Sequence, residues 1–378
     1  MQQRWDIFCA VVDNFGDIGV CWRLARQLAH EHNKTVRLWV DDLTSFSRIA
    51  PDADATAERQ YVQKIEILRW QPAFPSTEPG NVVIEAFACE LPENYVLAML
   101  KMIRQPVWLN LEYLSAETWV NQYHSLPSPH PRFALTKTFF FPGFVPGTGG
   151  LLREKDLMAQ RAAFTHADEQ AFWRRNNLPV RNSGELRISL FGYDQAPVDT
   201  LLAALADSSA PVLLIVPEGR LADRVLALLH GTQSPYETAI TWKQLTVHIV
   251  PFVAQAEYDR LLWSCDINFV RGEDSFVRAQ WAGKPFVWNI YPQQENAHWK
   301  KLDAFLALYT AAMPDALATA VRELWWCWNG KAALHVPVLM NFLAARESLT
   351  QHNEIWRNQL LKQDDLTSNL VQFAENKL

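Results

Sequence analysis

Two carboxylates four residues apart, Asp13 and Asp17, stand in the segment VVDNFGDIG (residues 11–19) beside two glycines, Gly16 and Gly19. The segment follows a strand-like apolar run and opens a helical pattern, where a parallel sheet sets its ligand loop. If the first helical turn starts by Asp13 the two acids share a face, and in a loop they can still converge. Such a pair suits a general base and its orienting partner. The plainer alternative makes Asp13 a strand-end turn residue and Asp17 a helix N-cap. The segment contains no GxGxxG and does not end in Gly-Lys-Ser/Thr, so neither a dinucleotide fingerprint nor a P-loop is supported.

A second concentration is VRGEDSFVRAQWAGKPFVWNIYPQ (residues 270–293). A strand ends at Val270, Arg271 and Gly272 turn the chain, and Asp274–Ser275 can cap a helix that Gly283 ends. The free N–H groups of such a helix start form an anion site, and with Arg271 and Ser275 they could hold a diphosphate. Glu273 favours the helix dipole but repels phosphate. It either caps the helix, binds a sugar or orients a neighbour. Strand, acidic helix start, Gly-Lys-Pro and strand, in that order, point to a nucleotide-sugar glycosyltransferase of the two-Rossmann GT-B type. Two aromatic strand ends add to this: Phe191 and Tyr193 in LFGYD, and Phe252 with Gln255 in PFVAQAEYD. A ring can stack on a base and a Gln amide can read a pyrimidine edge; ordinary packing is the alternative for each. Trp5, Trp70, Trp263 and Trp281 are expected to fill core or domain interface. His298 is expected at the surface or in a structural role.

The elements that must position these residues alternate strand and helix. Asp6–Val12, Thr35–Val40, Ile65–Trp70, Val82–Ala88 and Pro106–Leu111 read as strands of a first sheet. Arg187–Gly192, Val212–Val216, Thr246–Pro251, Ile267–Val270 and Phe286–Ile290 read as strands of a second. The Pro- and Gly-rich stretch 126–151 reads as loop and linker. The fold expected is α/β, GT-B type: two facing Rossmann-like domains with a central cleft and a helical C-terminal tail. The expected divisions are an N-terminal Rossmann-like acceptor-side domain (1–150), a linker and helix (151–184) and a C-terminal Rossmann-like nucleotide-sugar domain (185–355). A C-terminal helix (356–378) follows, with a return to the N-terminal domain as one option.

Composition bounds the function. The 378 residues carry a net charge of −6, with 49% hydrophobic and 20% charged residues, an ordinary globular balance. That acidity argues against a general nucleic-acid binder. No apolar run is long enough to span a membrane. Five scattered cysteines without a CxxC make a disulfide framework or zinc site a poor fit, and a reducing cytoplasm is the natural compartment. Cys9, Cys89 and Cys265 sit among apolar residues and read as core.

VVDNFGDIG, EAFACELPEN, LNLEYLSAE, GGLLRE, LFGY, PFV with Gln255, and RGEDSFVRAQWAGKPFVWNIYPQ together closely resemble one family, in order from about Asp6 to Leu302. It is the bacterial elongation factor P arginine rhamnosyltransferases, the EarP family. The resemblance implies a GT-B fold and transfer of L-rhamnose from thymidine diphosphate-β-L-rhamnose to one arginine of translation elongation factor P, with inversion. It places the family's essential acids on Asp13, Asp17 and Glu273. Its thymine and phosphate contacts fall on Phe191, Tyr193, Phe252, Gln255, Arg271, Asp274, Ser275 and Tyr291, with Gly19 on the donor face. No cofactor beyond the donor substrate is implied. No metal is expected, and no metal-binding DxD triplet is evident. The alternatives are a GT-B glycosyltransferase with another acceptor and a non-catalytic nucleotide-sugar-binding protein.

Overall fold

The computed structural model describes residues 3–13, 15–229 and 239–378. Asn14 of the first motif lies outside the described residues. The chain divides into two compact units, one of Met1–Lys155 with Leu360–Leu378, the other of Asp156–Gln359.

The first unit begins β1 (Arg4–Cys9), α1 (Gly16–His30), β2 (Thr35–Val40), α2 (Leu43–Ile49), β3 (Arg59–Val62) and β4 (Ile65–Arg69). It continues with β5 (Val82–Ala86), α3 (Glu93–Leu100), β6 (Val107–Leu111), α4 (Val120–Tyr123), β7 (Pro127–Pro129) and β8 (Thr136–Phe140). Its sheet runs β3-β4-β2-β1-β5-β6-β8-β7, parallel except for the β3 and β7 edges. The central strands are buried on both faces, which is why β1, β5 and β6 read as apolar runs rather than alternations. On one face Phe8, Trp39, Phe74, Val83, Tyr95, Met99 and Trp108 form a core cluster. Its rings are ordered, with Phe8 stacked on Trp39 at 5.8 Å. Buried Asp6 is neutralised at the strand start: it accepts from Arg37 Nε at 2.7 Å and from Gly80 N at 2.8 Å, and bonds the Tyr95 hydroxyl.

The second unit comprises α5 (Leu157–Ala163), α6 (His166–Arg175), β9 (Leu186–Leu190), α7 (Val198–Ala206), β10 (Val212–Pro217), α8 (Arg220–Leu229), β11 (Ala239–Trp242) and β12 (Leu245–Val250). Then come α9 (Gln255–Ser264), β13 (Ile267–Arg271), α10 (Asp274–Ala282), β14 (Phe286–Asn289), α11 (His298–Tyr309), α12 (Asp315–Trp328), α13 (Val336–Ala344) and α14 (Arg346–Leu360). The sheet order is β11-β12-β10-β9-β13-β14, with only β11 antiparallel. α6 starts on a capping box, Thr165 with Asp168. Trp288 stacks on Phe276 at 3.9 Å and joins β14 to α10. After α14 the chain closes with α15 (Leu366–Glu375), which belongs to the first unit.

Several expectations are corrected. β8 lies inside the stretch 126–151 read as linker, and it pairs parallel with β6. Pro127 and Pro129 sit on the antiparallel edge strand β7, where a missing N–H is tolerated. Residues 151–155 belong to the first unit and 156–184 to the second, while 356–359 stay with the second unit inside α14. Of the two options for His298 the structural one holds: it is buried, and its Nδ1 accepts from Gln293 N at 3.0 Å. Cys9 and Cys265 are core, Cys89 is half-buried, and none of the five cysteines is in a disulfide. Asp52, Ala53 and Asp54 do spell a DxD, but both acids are exposed after α2, and Asp54 Oδ1 accepts from Thr56 N at 2.7 Å in a local turn.

Candidate active site

Each sheet reverses its strand order beside its first strand, at β1/β5 in one unit and β9/β13 in the other, and ligands of open α/β sheets bind outside the carboxyl ends of such strands. The candidate residues follow those ends.

In the first unit the loop after β1 enters α1, whose N-cap is Phe15, with no side-chain capping bond. Asp17 is therefore not the cap. It lies in the first turn and is 2% exposed. Its carboxylate folds back over the loop, and Oδ2 accepts from Val12 N at 2.8 Å and Asp13 N at 2.8 Å. Asp13 is buried too. Gly16 N donates to Asp13 O at 2.6 Å, and a Cβ at Gly16 would stand 2.5 Å from Asp13 Oδ2. Glycine is thus what lets the Asp13 carboxylate lie against the helix start. Gly19 lies in the helix ladder, its N–H donating to Phe15 O at 3.0 Å.

Burial raises the pKa of Asp17, with Asp41 adding repulsion, while the Asp13 and Val12 amides and the Tyr113 hydroxyl pull it down. The net shift is toward general-base behaviour. Sequence reasoning missed Tyr113 and Asp41 as partners. Each follows a different strand, and only the sheet order brings them to Asp17.

In the second unit Phe191 and Tyr193 follow β9, Phe252 and Gln255 follow β12, Arg271 ends β13, and Tyr291 follows β14. The Arg271 guanidinium lies 4.4 Å over the Phe191 ring and 4.9 Å from that of Tyr193. Its Nη1 donates to Gly192 O at 3.2 Å. Tyr193 meets Tyr291 edge-on at 5.6 Å. Gly272 has φ +59° and accepts from Trp288 Nε1 at 2.7 Å. That left-handed turn aims the start of α10. Glu273 is the N-cap of α10 but makes no side-chain capping bond, and neither Asp274 nor Ser275 caps. Ser275 Oγ instead accepts from Arg271 N at 3.0 Å and donates to Arg271 O at 2.5 Å, fixing the turn. Asp274 Oδ2 accepts from Gln255 Nε2 at 2.9 Å and Arg278 Nε at 3.2 Å. A carboxylate only accepts, so the Gln255 amide nitrogen faces Asp274 and its carbonyl oxygen faces the other way. Phe252 is half-buried just beyond the end of β12.

Among the described residues no helix is long and apolar enough to cross a membrane. The family model for "Elongation-Factor P (EF-P) rhamnosyltransferase EarP" matches residues 5–375. A protein-arginine rhamnosyltransferase of Pseudomonas putida is 48% identical, with 100% of both chains covered. That of Pseudomonas aeruginosa is 46% identical over 98% of each. A solved structure, "Structural basis for EarP-mediated arginine glycosylation of translation elongation factor EF-P", is similar with a TM-score of 0.70 and 36% identity over 100% of both chains. Acinetobacter baumannii MurG, at TM-score 0.52 and 15% identity over 100% of both chains, shares the fold, which is of GT-B type. The chain belongs to the EarP family of elongation factor P rhamnosyltransferases.

Proposed function

We propose that the chain is an inverting, metal-independent protein-arginine rhamnosyltransferase. It moves L-rhamnose from thymidine diphosphate-β-L-rhamnose to an arginine guanidinium of translation elongation factor P. The reading needs no cofactor beyond the donor sugar nucleotide. The observation that carries it is the buried Asp17 bonded to the Asp13 amide, with its pKa raised. A guanidinium has a pKa above about 12 and a delocalised lone pair, so it attacks an anomeric carbon only when oriented and relieved of a proton. Asp17 takes that proton as the C–N bond forms and the bond to the diphosphate breaks; Asp13 orients the incoming nitrogen.

The donor is read by the second unit. Phe191 and Phe252 hold the thymine, and Gln255 offers a carbonyl oxygen to a base N–H. Arg271, Tyr193, Ser275 and Tyr291 hold the diphosphate at the start of α10, with Asp274 fixing Gln255. Negative charge developing on the leaving group is met by Arg271 and the helix N-terminus. Glu273 holds a sugar hydroxyl or orients a neighbour, and Gly19 leaves room on the donor face.

The test is incubation with thymidine diphosphate-rhamnose and elongation factor P in the presence of a chelator, followed by mass spectrometry of the acceptor. One deoxyhexosyl unit on an arginine is expected. An unmodified acceptor, or sugar on another residue type, overturns the reading.

A further inference from the structure

Two of the motif segments, EAFACELPEN and LNLEYLSAE, have no part in the reading above. They leave the sheet after β5 and β6. β5 is the neighbour of β1, so both emerge at the edge that carries the Asp13–Asp17 loop.

The first of them is strained. Phe87, Ala88 and Glu90 have φ of +56°, +54° and +52°, three non-glycine residues in left-handed backbone within four positions. Each costs of order 1 kcal/mol and persists only where the surroundings over-determine it. Here they do. Phe87 N donates to Leu111 O at 2.7 Å and Ala88 N to Asn110 Oδ1 at 3.2 Å. Asn110 is fixed in turn by donating to Glu112 Oε1 at 2.5 Å. Glu90 N donates to Glu85 Oε1 at 3.3 Å, and buried Glu85 is anchored by Trp108 Nε1 at 3.1 Å and Lys137 Nζ at 3.2 Å.

That pedestal puts the Phe87 ring against Tyr113, stacked at 4.4 Å with planes 17° apart, both residues partly exposed. The Tyr113 hydroxyl is bonded to the Asp17 carboxylate. Oδ2 of that carboxylate accepts the Val12 and Asp13 amides, which fixes the group beside the two rings. A partly exposed stack of aromatic rings thus stands beside a buried carboxylate. A guanidinium is matched to both: its N–H edge seeks a carboxylate and its weakly hydrated face seeks a ring. A lysine ammonium has no such flat face.

We propose that Phe87 and Tyr113 form the wall on which the acceptor's guanidinium plane lies, Phe87 as a binding residue and Tyr113 also as the positioning residue for Asp17. This rests on the arginine-acceptor reading. The groups that face Asp17 are Asp13 in its own loop, Cys9 on β1, Asp41 after β2 and Tyr113 after β6.

The experiment begins with wild-type transfer to elongation factor P. No transfer overturns the acceptor reading and this wall with it. Given transfer, Phe87→Leu is expected to raise the acceptor KM about ten-fold, the scale of a lost cation–π contact, with thymidine diphosphate affinity unchanged in calorimetry. Tyr113→Phe keeps the ring and removes the hydroxyl. It is expected to leave acceptor KM near wild type, lower kcat and move the acid limb of the pH profile upward, because ionised Asp17 loses a hydrogen-bond donor. An unchanged acceptor KM in folded Phe87→Leu, or an equal weakening of both substrates, overturns the wall. Should Phe87→Leu fail to fold, Phe87→Met takes its place, and an unchanged acceptor KM in it overturns the wall; an unmoved acid limb with unchanged kcat in Tyr113→Phe overturns the positioning role of Tyr113.

Discussion

Asp17 can be separated from its structural surroundings by exchanging one carboxylate oxygen for an amide nitrogen. An asparagine side chain at this position could still accept from the Val12 and Asp13 amides through its carbonyl oxygen, so Asp17→Asn keeps the loop and removes only charge and basicity. Turnover should fall about 10²–10⁴-fold in single-turnover rhamnosylation, with thymidine diphosphate affinity near wild type. Near-normal rates would leave the base unassigned. The pH dependence has a definite sign. If Asp17 is the base, its ionised form is the active one, and with a pKa raised by burial the rate declines as pH falls through a value above the ordinary aspartate range. The same shift makes the native state take up that proton before the unfolded state does. At Asp17, acid therefore favours the native fold over the window between the raised and the ordinary value. Activity should be lost there reversibly, ahead of any unfolding followed by circular dichroism. The pair of acids was legible in the sequence from their spacing after a strand. The direction of the shift was not, since Asp41 and Tyr113 lie in other segments.

The element that holds this site is the first turn of α1, and its decisive residue has no functional group. Alanine at position 16 would gain up to about 1 kcal/mol of helix propensity over glycine. Its Cβ would meet Asp13 Oδ2 at 2.5 Å, a contact with the far end of a side chain rather than with backbone, so the carboxylate is what must shift. Gly16→Ala should therefore melt within a few degrees of wild type while transfer falls at least about ten-fold, the scale at which a displaced catalytic group is felt. A normal rate would show that the Asp13 carboxylate need not lie against the helix start. Elements of this kind divide by legibility for a physical reason. Central strands such as β5, VVIEA, are buried on both faces and announce themselves as apolar runs. Edge strands such as β7, PSP, are exposed, short and carry prolines, so they look like loop. The start of α10 was legible in place but not in role. Asp274 and Ser275 have capping side chains, yet the tight Arg271–Gly272 turn brings Ser275 back onto Arg271 and leaves Asp274 to Gln255 and Arg278.

At the scale of the molecule, the chain visits the second unit as one continuous excursion and returns for its last residues. The return is what braces α1. Thr367 Oγ1 donates to Gln27 Oε1 at 2.9 Å, Leu366 N to Leu151 O at 2.9 Å, and Asn369 Nδ2 to Gly149 O at 3.0 Å. Lys34 pairs with Glu375 at 2.7 Å, and Leu366, Leu370, Val371 and Ala374 are buried. The return was one option read from the sequence, but its seat was not legible: α15 is amphipathic like any surface helix, and which apolar face it covers depends on a sheet laid down at the other end of the chain. Burying the three larger of these side chains, Leu366, Leu370 and Val371, contributes on the order of 5 kcal/mol, comparable to the whole net stability of a domain. Removing residues 365–378 should thus loosen the unit that carries Asp17 and leave intact every bond described around Arg271. The expected result is a melt split into two transitions, thymidine diphosphate affinity close to wild type by calorimetry, and no detectable transfer. A single transition near the wild-type Tm would show that α15 adds little. Loss of nucleotide affinity together with transfer would show that the donor constellation depends on the first unit for its shape, against its assignment to the strand ends of the second.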